Sequence, residues 1–369
     1  MLNYFAWVIA AHRCRDLKVK EATEAQAIMA DVKEKVWAYG VTPEHIRARQ
    51  LNALPSLSGE ASNTPGLPDL MSFEDGPQGG DLRHKMKRYK DVARAAFEKA
   101  YDRDATRPSS LIHVTCAGYV SPSAAQEFVS ERGWNDTGVT HSYHMGCYGA
   151  FPPVKMATGY LARGATDGLG FNDEQVDIVH TEFLSLHGDY STVDPGSLVN
   201  MTLFADGFAK YSVVRKSRLA GRPGLEVVAQ FETIIPDTSA EMTWAPTGRL
   251  FEMYLARTVP LRIKQHIRPF VAELCRRAGL ELERDKEDLV FAIHPGGPKI
   301  LDHIKQELGI TEQQMHWSRE VLNELGNMSS STIPHIWSRM LESTEVGTHV
   351  VSMAFGPGLT ATGLVLRRV

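Results

Sequence analysis

Residues 291–298, Phe-Ala-Ile-His-Pro-Gly-Gly-Pro, decide how this chain is read. An apolar run ends on a histidine, and Pro-Gly-Gly then forces the backbone away. His294 is thereby placed at the C-terminal edge of a strand, where open α/β sheets put their sites. Two other turns share this shape. Upstream, His144-Met-Gly-Cys-Tyr-Gly149 brackets Cys147 with glycines at 146 and 149 and runs at once into a helix carrying Pro152 and Pro153 in its first turn. A thiol at a helix N-terminus feels the positive end of the dipole, which lowers its pKa. Downstream, Gly326-Asn-Met-Ser-Ser-Ser331 opens another helix on Asn327. One asparagine in such a place is usually a cap. Three such turns in one chain point to a site built from cysteine, histidine and asparagine.

Strand and helix patterns alternate around these turns. The spacing of Ala25, Ile28, Met29, Val32 and Val36 predicts a helix over 21–39, and Thr42-Pro43-Glu44 reads as the start of another short one. The apolar start, Met1 to Ala11, reads as a first strand. Residues 54–81, rich in proline and glycine, read as a long loop, mobile or in contact with a partner. Helix resumes over 82–101, where Arg83, Lys85, Lys87, Arg88 and Lys90 form either a solvated face or a dock for an anionic group. Strands are expected at 110–116, 176–181 and 227–235, a long helix over 249–278, a strand at 289–293, and a closing pair at 350–355 and 364–367. Leu219-Ala-Gly-Arg-Pro-Gly224 reads as a joint, giving an N-terminal half, 1–218, with the cysteine and a C-terminal half, 219–369, with the histidine and asparagine. This is an α/β chain.

Composition narrows the function. The 40 basic and 44 acidic side chains leave a net charge of −4, which gives no reason to expect nucleic acid. Four cysteines in 369 residues make no disulfide scaffold, and they show no CxxC spacing for zinc. The apolar start is too short to span a bilayer and lacks a leading basic region, so a cytoplasmic protein is expected. No bound metal or cofactor is expected.

Cysteine, histidine and asparagine in that order allow two chemistries. In a papain-like protease, Cys and His pair and Asn orients the ring. However, only Gly-Cys-Tyr of that nucleophile context is present, and Cys147 stands far from the N-terminus. In a condensing enzyme, His and Asn both donate to a thioester oxygen and stabilise the enolate left when a malonyl group loses CO₂.

Several segments together resemble the type III polyketide synthases, the chalcone synthase-like condensing enzymes of the thiolase fold. Phe291–Asp302 (FAIHPGGPKILD) resembles the histidine motif of that family, Gly326–Ser330 its asparagine motif, and Phe355-Gly-Pro-Gly-Leu-Thr360 its C-terminal loop. Leu203–Gly207 and Ile234–Asp237 resemble two further landmarks. The resemblance runs from about Leu111 to the C-terminus and implies a duplicated, five-layered α-β-α-β-α architecture. The related ketoacyl-carrier-protein synthase III enzymes share the three residues but follow the histidine with Gln-Ala-Asn, where this chain has Pro-Gly-Gly.

The resemblance also implies roles. Cys147 would accept the acyl group, and His294 would hold it as thiolate and, with Asn327, promote malonyl decarboxylation. Phe204 would guard the cavity entrance, and the Gly356–Gly358 loop would supply backbone near the acyl oxygen. Cys116, Glu182 and Ser329 would line the acyl cavity, with Ser121 approaching a neighbouring subunit. Substrates would be acyl and malonyl thioesters of coenzyme A, or of a carrier protein, and the working form a homodimer. Two departures stand out. Trp244 occupies the place of a cavity glycine, and Met253 that of a second gatekeeping phenylalanine. The large ring of Trp244 implies curtailed or redirected chain growth.

Overall fold

The computed structural model describes residues 1–53, 79–103, 105–163, 174–219 and 221–369. Most of the 54–81 loop expected from the sequence, residues 54–78, lies outside them, as does Ala220 of the joint. The chain opens with α1 (Leu2–Asp16), α2 (Ala22–Tyr39) and α3 (Leu82–Ala100). The first of these corrects the expectation of a strand. Leu2, Phe5, Ala6, Val8, Ile9, Ala10 and His12 are all buried. A segment apolar on nearly every side carries no period by which helix and strand can be told apart. The helix expected at Thr42 is a single turn, with the amides of His45 and Ile46 donating to Thr42 O.

The first sheet holds β1 (Ser110–Thr115), β2 (Gly138–Tyr143), β3 (Gln175–Phe183) and β4 (Asp206–Val214), in the order β2-β1-β3-β4. Helix α4 (Ala124–Glu131) starts on a Ser123–Gln126 capping box. Helix α5 (Phe151–Arg163) follows the cysteine turn, and α6 (Pro195–Leu203), unforeseen from the sequence, precedes β4.

The second sheet is built from β5 (Leu225–Ile234), β8 (Leu289–Ile293), β9 (His349–Gly356) and β10 (Thr360–Arg368), in the order β5-β10-β9-β8, and β6 (Met242–Pro246) and β7 (Phe251–Leu255) form a separate hairpin. Then come α7 (Val259–Arg277), the one-turn α8 (Leu282–Asp285), β8 (Leu289–Ile293), α9 (Pro298–Leu308), α10 (His316–Leu325), α11 (Thr332–Ser343), β9 (His349–Gly356) and β10 (Thr360–Arg368). The long helix expected over 249–278 is therefore β7 and α7, split after Leu255. In each sheet a parallel pair, β1 with β3 or β8 with β9, is extended by an antiparallel strand, β4 or β10.

Helices α5 and α11 lie between the sheets: α5 packs on β1, β3, β4 and β10, and α11 on β4 and β8. Their core joins Ile112 and Val114 to Val154, Ile333 and Met340, and these to Ala292, Val350 and Leu364. Separate apolar clusters sit on the outer faces, Phe97 and Phe128 on one and Ile267, Phe270 and Leu301 on the other. Helix, sheet, helix, sheet, helix make five layers. Among the described residues no helix is long and apolar enough to cross a membrane.

Candidate active site

Two of the turns singled out in the sequence, those of Cys147 and His294, lie where the parallel strands β2 and β8 end, and the third, that of Asn327, follows α10. Strand β2 runs into His144 and then a one-turn 3₁₀ segment, Gly146–Tyr148, that carries Cys147. Strand β8 ends at Ile293, and the His294 amide donates to Met353 O on β9 at 2.8 Å. Asn327 is tied to the stretch before β4, its amide donating to Leu203 O at 3.1 Å and its carbonyl accepting from Ala205 at 2.9 Å. A 3₁₀ turn, Ser329–Ser331, follows it. The cysteine turn packs on that serine turn and on β9.

Close backbone approach explains the glycines. Gly146 has φ +66°, and a Cβ there would stand 2.7 Å from Pro357 Cδ. A Cβ on Gly356 would fall 2.2 Å from the Tyr148 ring. The 356–358 loop is thus pressed against the nucleophile turn, with Gly358 at φ +74°. Backbone strain gathers here too, since His144, Ser329 and Leu359 all take positive φ without being glycine. Gly146→Ala should cost about 2–3 kcal/mol of stability, from left-handed strain plus the proline contact. Urea unfolding checks this, and an unchanged midpoint would show that the turn relaxes freely.

Burial dominates the electrostatics of the two reactive side chains. Burial pushes the Cys147 thiol up to about 12; Ser329 and Asn327 pull it down and the Glu182 charge raises it further. Burial likewise holds the His294 imidazole down at about 3. Burial thus favours the thiol form of Cys147 and the uncharged form of the His294 imidazole. Both ring nitrogens of His294 are buried and have no hydrogen-bond partner among the described residues. Leaving two such atoms unmet is costly, and it suits a group whose partner is a substrate atom.

Cys116 stands at the centre of the remaining polar contacts. Its amide donates to Glu182 Oε2 at 2.8 Å, its thiol lies 3.1 Å from Ser329 Oγ, and its carbonyl accepts from Trp244 Nε1 at 2.7 Å. Burial pushes its thiol well up, with the Glu182 charge adding to the effect. Phe204, Trp244 and Met253 line one cavity of about 310 Å³, with Trp244 and Met253 directly paired across the β6–β7 hairpin. Phe204 is bridged through its backbone to Asn327. Ser121, by contrast, is exposed.

Sequence reasoning missed a chain of three residues, Ser330, His180 and Tyr211, that leads away from Glu182. Ser330 Oγ donates to Glu182 Oε1, His180 Nδ1 lies 2.9 Å from Ser330 Oγ, and Tyr211 OH lies 3.3 Å from His180 Nε2. A signal existed: His180 and Glu182 are two apart on β3 and share a face. The basic stretch of α3 divides. Arg83 and Lys87 are exposed, whereas Lys85 is buried without a hydrogen-bond partner for its amine among the described residues. Burial lowers the Lys85 pKa to about 8, with Asp189 opposing and Arg249 adding to it.

Comparison with known proteins follows the same lines. Residues 226–369 match the family described as chalcone and stilbene synthases, C-terminal domain. The chain is 28% identical over 297 residues to "Probable polyketide synthase 1" of Dictyostelium discoideum, covering 78% of this chain and 9% of that protein. It is 26% identical over 238 residues to "Type III polyketide synthase A" of Arabidopsis thaliana, covering 63% of this chain and 58% of that one. These relatives extend well beyond the part matched here. The crystal structure of the C-terminal type III polyketide synthase domain of Steely1, from Dictyostelium, superposes with a TM-score of 0.76 at 23% identity, covering 100% of this chain and 95% of that one. The shared architecture is the thiolase fold.

Proposed function

We propose that this chain, whose residues 226–369 match the chalcone and stilbene synthase C-terminal domain family and which is 26% identical to a type III polyketide synthase, catalyses decarboxylative Claisen condensation of a malonyl thioester with an acyl thioester. Cys147 is the acyl-accepting nucleophile in this reading, supplied by residues 1–218, and His294 with Asn327, supplied by residues 219–369, is the decarboxylating pair. Coenzyme A thioesters are the proposed substrates, a homodimer the working form and the cytoplasm the setting, and no bound cofactor is required. The observation that carries the reading is His294: buried, held uncharged by that burial, and with neither ring nitrogen partnered among the described residues.

The chemistry follows from those properties. A starter thioester acylates Cys147, and the coenzyme leaves as its thiol. Malonyl thioester then presents its carbonyl oxygen to His294 and Asn327. A neutral imidazole can donate its N–H to that oxygen, and the Asn327 amide can donate a second bond. The C–CO₂⁻ bond breaks, CO₂ departs, and the electron pair enters the enolate held by these donors. The enolate carbon attacks the acyl-Cys147 carbonyl, forming the new C–C bond and releasing the Cys147 thiolate.

Cys147→Gln mimics the acylated, uncharged nucleophile and separates decarboxylation from condensation. This variant should release CO₂ from malonyl-coenzyme A, and adding Asn327→Ala should lower the release by about 10²–10³-fold. Radiolabelled CO₂ capture measures both, and equal release from the two proteins would remove Asn327 from its role.

A further inference from the structure

The two sheets match strand for strand until one place is left over. The first has the order β2-β1-β3-β4 and the second β5-β10-β9-β8. Equating the parallel pairs, β1 with β3 and β8 with β9, also equates the antiparallel strands β4 and β10. On its far edge β10 carries β5, antiparallel and paired from Thr360↔Ile234 to Arg368↔Leu225. Among the described residues the far edge of β4 carries no strand. An apolar groove of about 1040 Å³ lies there instead. Val154 and Leu161 of α5, Trp337 and Leu341 of α11, and Val213 of β4 line it, with Ala100 of α3 from the outer layer. We propose that this groove is a strand-acceptor site for an extended segment of a partner protein. That segment, acidic near its start and apolar at alternate positions beyond, adds antiparallel to β4 as β5 adds to β10.

The backbone of β4 is left ready for pairing. An edge strand points half of its amides and carbonyls away from its one neighbour. Across residues 209–214, about 20 Å of strand, those groups bond nothing beyond β3 among the described residues. The stretch ends at Phe208, whose carbonyl accepts from His335 Nε2–H at 3.0 Å. The usual guards of an open edge are missing. Strand Asp206–Val214 contains no proline, and its register with β3 is continuous from Gln175↔Val214 to Phe183↔Asp206. Its one cation, Lys210, is drawn aside to the Tyr101 ring at 4.3 Å and to Asp177 at 3.8 Å.

Charge and shape define the occupant. In the second sheet Glu226, near the start of β5, pairs with Arg367 at the end of β10, with Nε and Oε2 3.0 Å apart. The first sheet has the cation without the acid. Arg215 follows β4; its Nη2 donates to Leu161 O at 2.8 Å, and its Nε is buried with no hydrogen-bond partner among the described residues. An antiparallel strand starts where β4 ends, so an acidic residue near its start meets that N–H. Beyond it, side chains on one face land on the apolar wall of α5 and α11, and those on the other turn toward Ala100 and Lys210. A second copy of this chain does not fit. Each of its described strands already carries a neighbouring strand, whereas helices of both layers bound the groove and admit a lone strand only. Main-chain bonds then give affinity, and the alternate side chains give selectivity.

The probe is a synthetic peptide with the sequence of Leu225–Ile234, LEVVAQFETI, which has the early acid and the alternation required. At saturating concentration it should slow amide hydrogen–deuterium exchange across residues 209–214 of the whole protein by about tenfold or more. Methylating one alternate set of its amide nitrogens should abolish this protection, and methylating the other set should leave it, since only one set faces β4. Arg215→Ala should weaken binding about tenfold, and a peptide with Glu226→Ala should lose as much against the wild-type protein. Leu341→Trp, which fills the groove from α11, should abolish binding and leave thioester turnover unchanged. Equal binding of both methylated peptides and the parent would reveal a pocket for apolar matter and overturn strand addition. Amides of residues 209–214 that exchange as slowly as those of β3 in the free protein would overturn it too, because the edge would already be covered. So would a parent peptide that protects none of them.

Discussion

Cys147→Ala is expected to fold normally and to take up no acyl group from any thioester, with turnover reduced by at least about 10³-fold. The substitution removes one sulfur from a residue already almost fully buried on the Gly146–Tyr148 turn, so the backbone that presents it is untouched. What is lost is the only thiol at the start of α5, and with it the covalent step. Intact mass spectrometry after incubation with acyl-coenzyme A reads the result as the absence of an acyl adduct. The informative competitor is Cys116, whose thiol shares Ser329 and is also buried. An adduct that survives in Cys147→Ala and disappears in Cys116→Ser would move the nucleophile to the end of β1. An adduct that disappears in Cys147→Ala and survives in Cys116→Ser keeps it where proposed. Burial raises both thiols, so their pKa values alone do not choose between them; the turn at a helix start does.

The three site turns were legible because each is written locally, as an apolar run, a reactive side chain and glycines that admit close packing. Elements with mixed or absent periods were not. In β7, Phe251, Met253 and Leu255 face inward at alternate positions. The same stretch also carries apolar residues three and four apart, so it merged by eye with α7. Helix α1 failed for the opposite reason, being apolar on almost every side. The Glu182–Ser330–His180–Tyr211 chain was beyond reach, because its members come from β3, β4 and the turn after Asn327 and meet only once the first sheet packs on the central helices. Two of its members, His180 and Tyr211, lie diagonally across the β3–β4 ladder, where His180 pairs with Ala209 and Ile178 with Tyr211. Register of that kind follows from strand pairing, which no single segment of the chain encodes.

Trp244→Gly should lengthen the products, adding extension units beyond those wild type makes from the same starter. The indole stands partly buried in the cavity that Phe204 and Met253 also line, edge-on to His187 and Phe251 at 5.5 and 5.9 Å. Its N–H is spent on the Cys116 carbonyl at 2.7 Å, which fixes the ring against the end of β1. A ring held in this way does not swing aside for a growing chain, so the indole stands as a fixed wall between the Cys116 end of β1 and the cavity of about 310 Å³. Removing it opens space next to the Cys116–Glu182–Ser329 cluster. The substitution should also cost about 3–5 kcal/mol of stability, from the lost packing, the unmet Cys116 carbonyl and a glycine placed in a strand. Trp244→Phe separates these effects. It keeps most of the ring volume and loses only the N–H, so it should lose about 1 kcal/mol and leave chain length unchanged. Product masses after incubation with malonyl-coenzyme A read the first quantity and chemical unfolding the second. If Trp244→Gly folds and yields the wild-type product spectrum, the indole does not limit elongation. If Trp244→Phe alone lengthens the products, the hydrogen bond that positions the ring, and not its bulk, sets the limit.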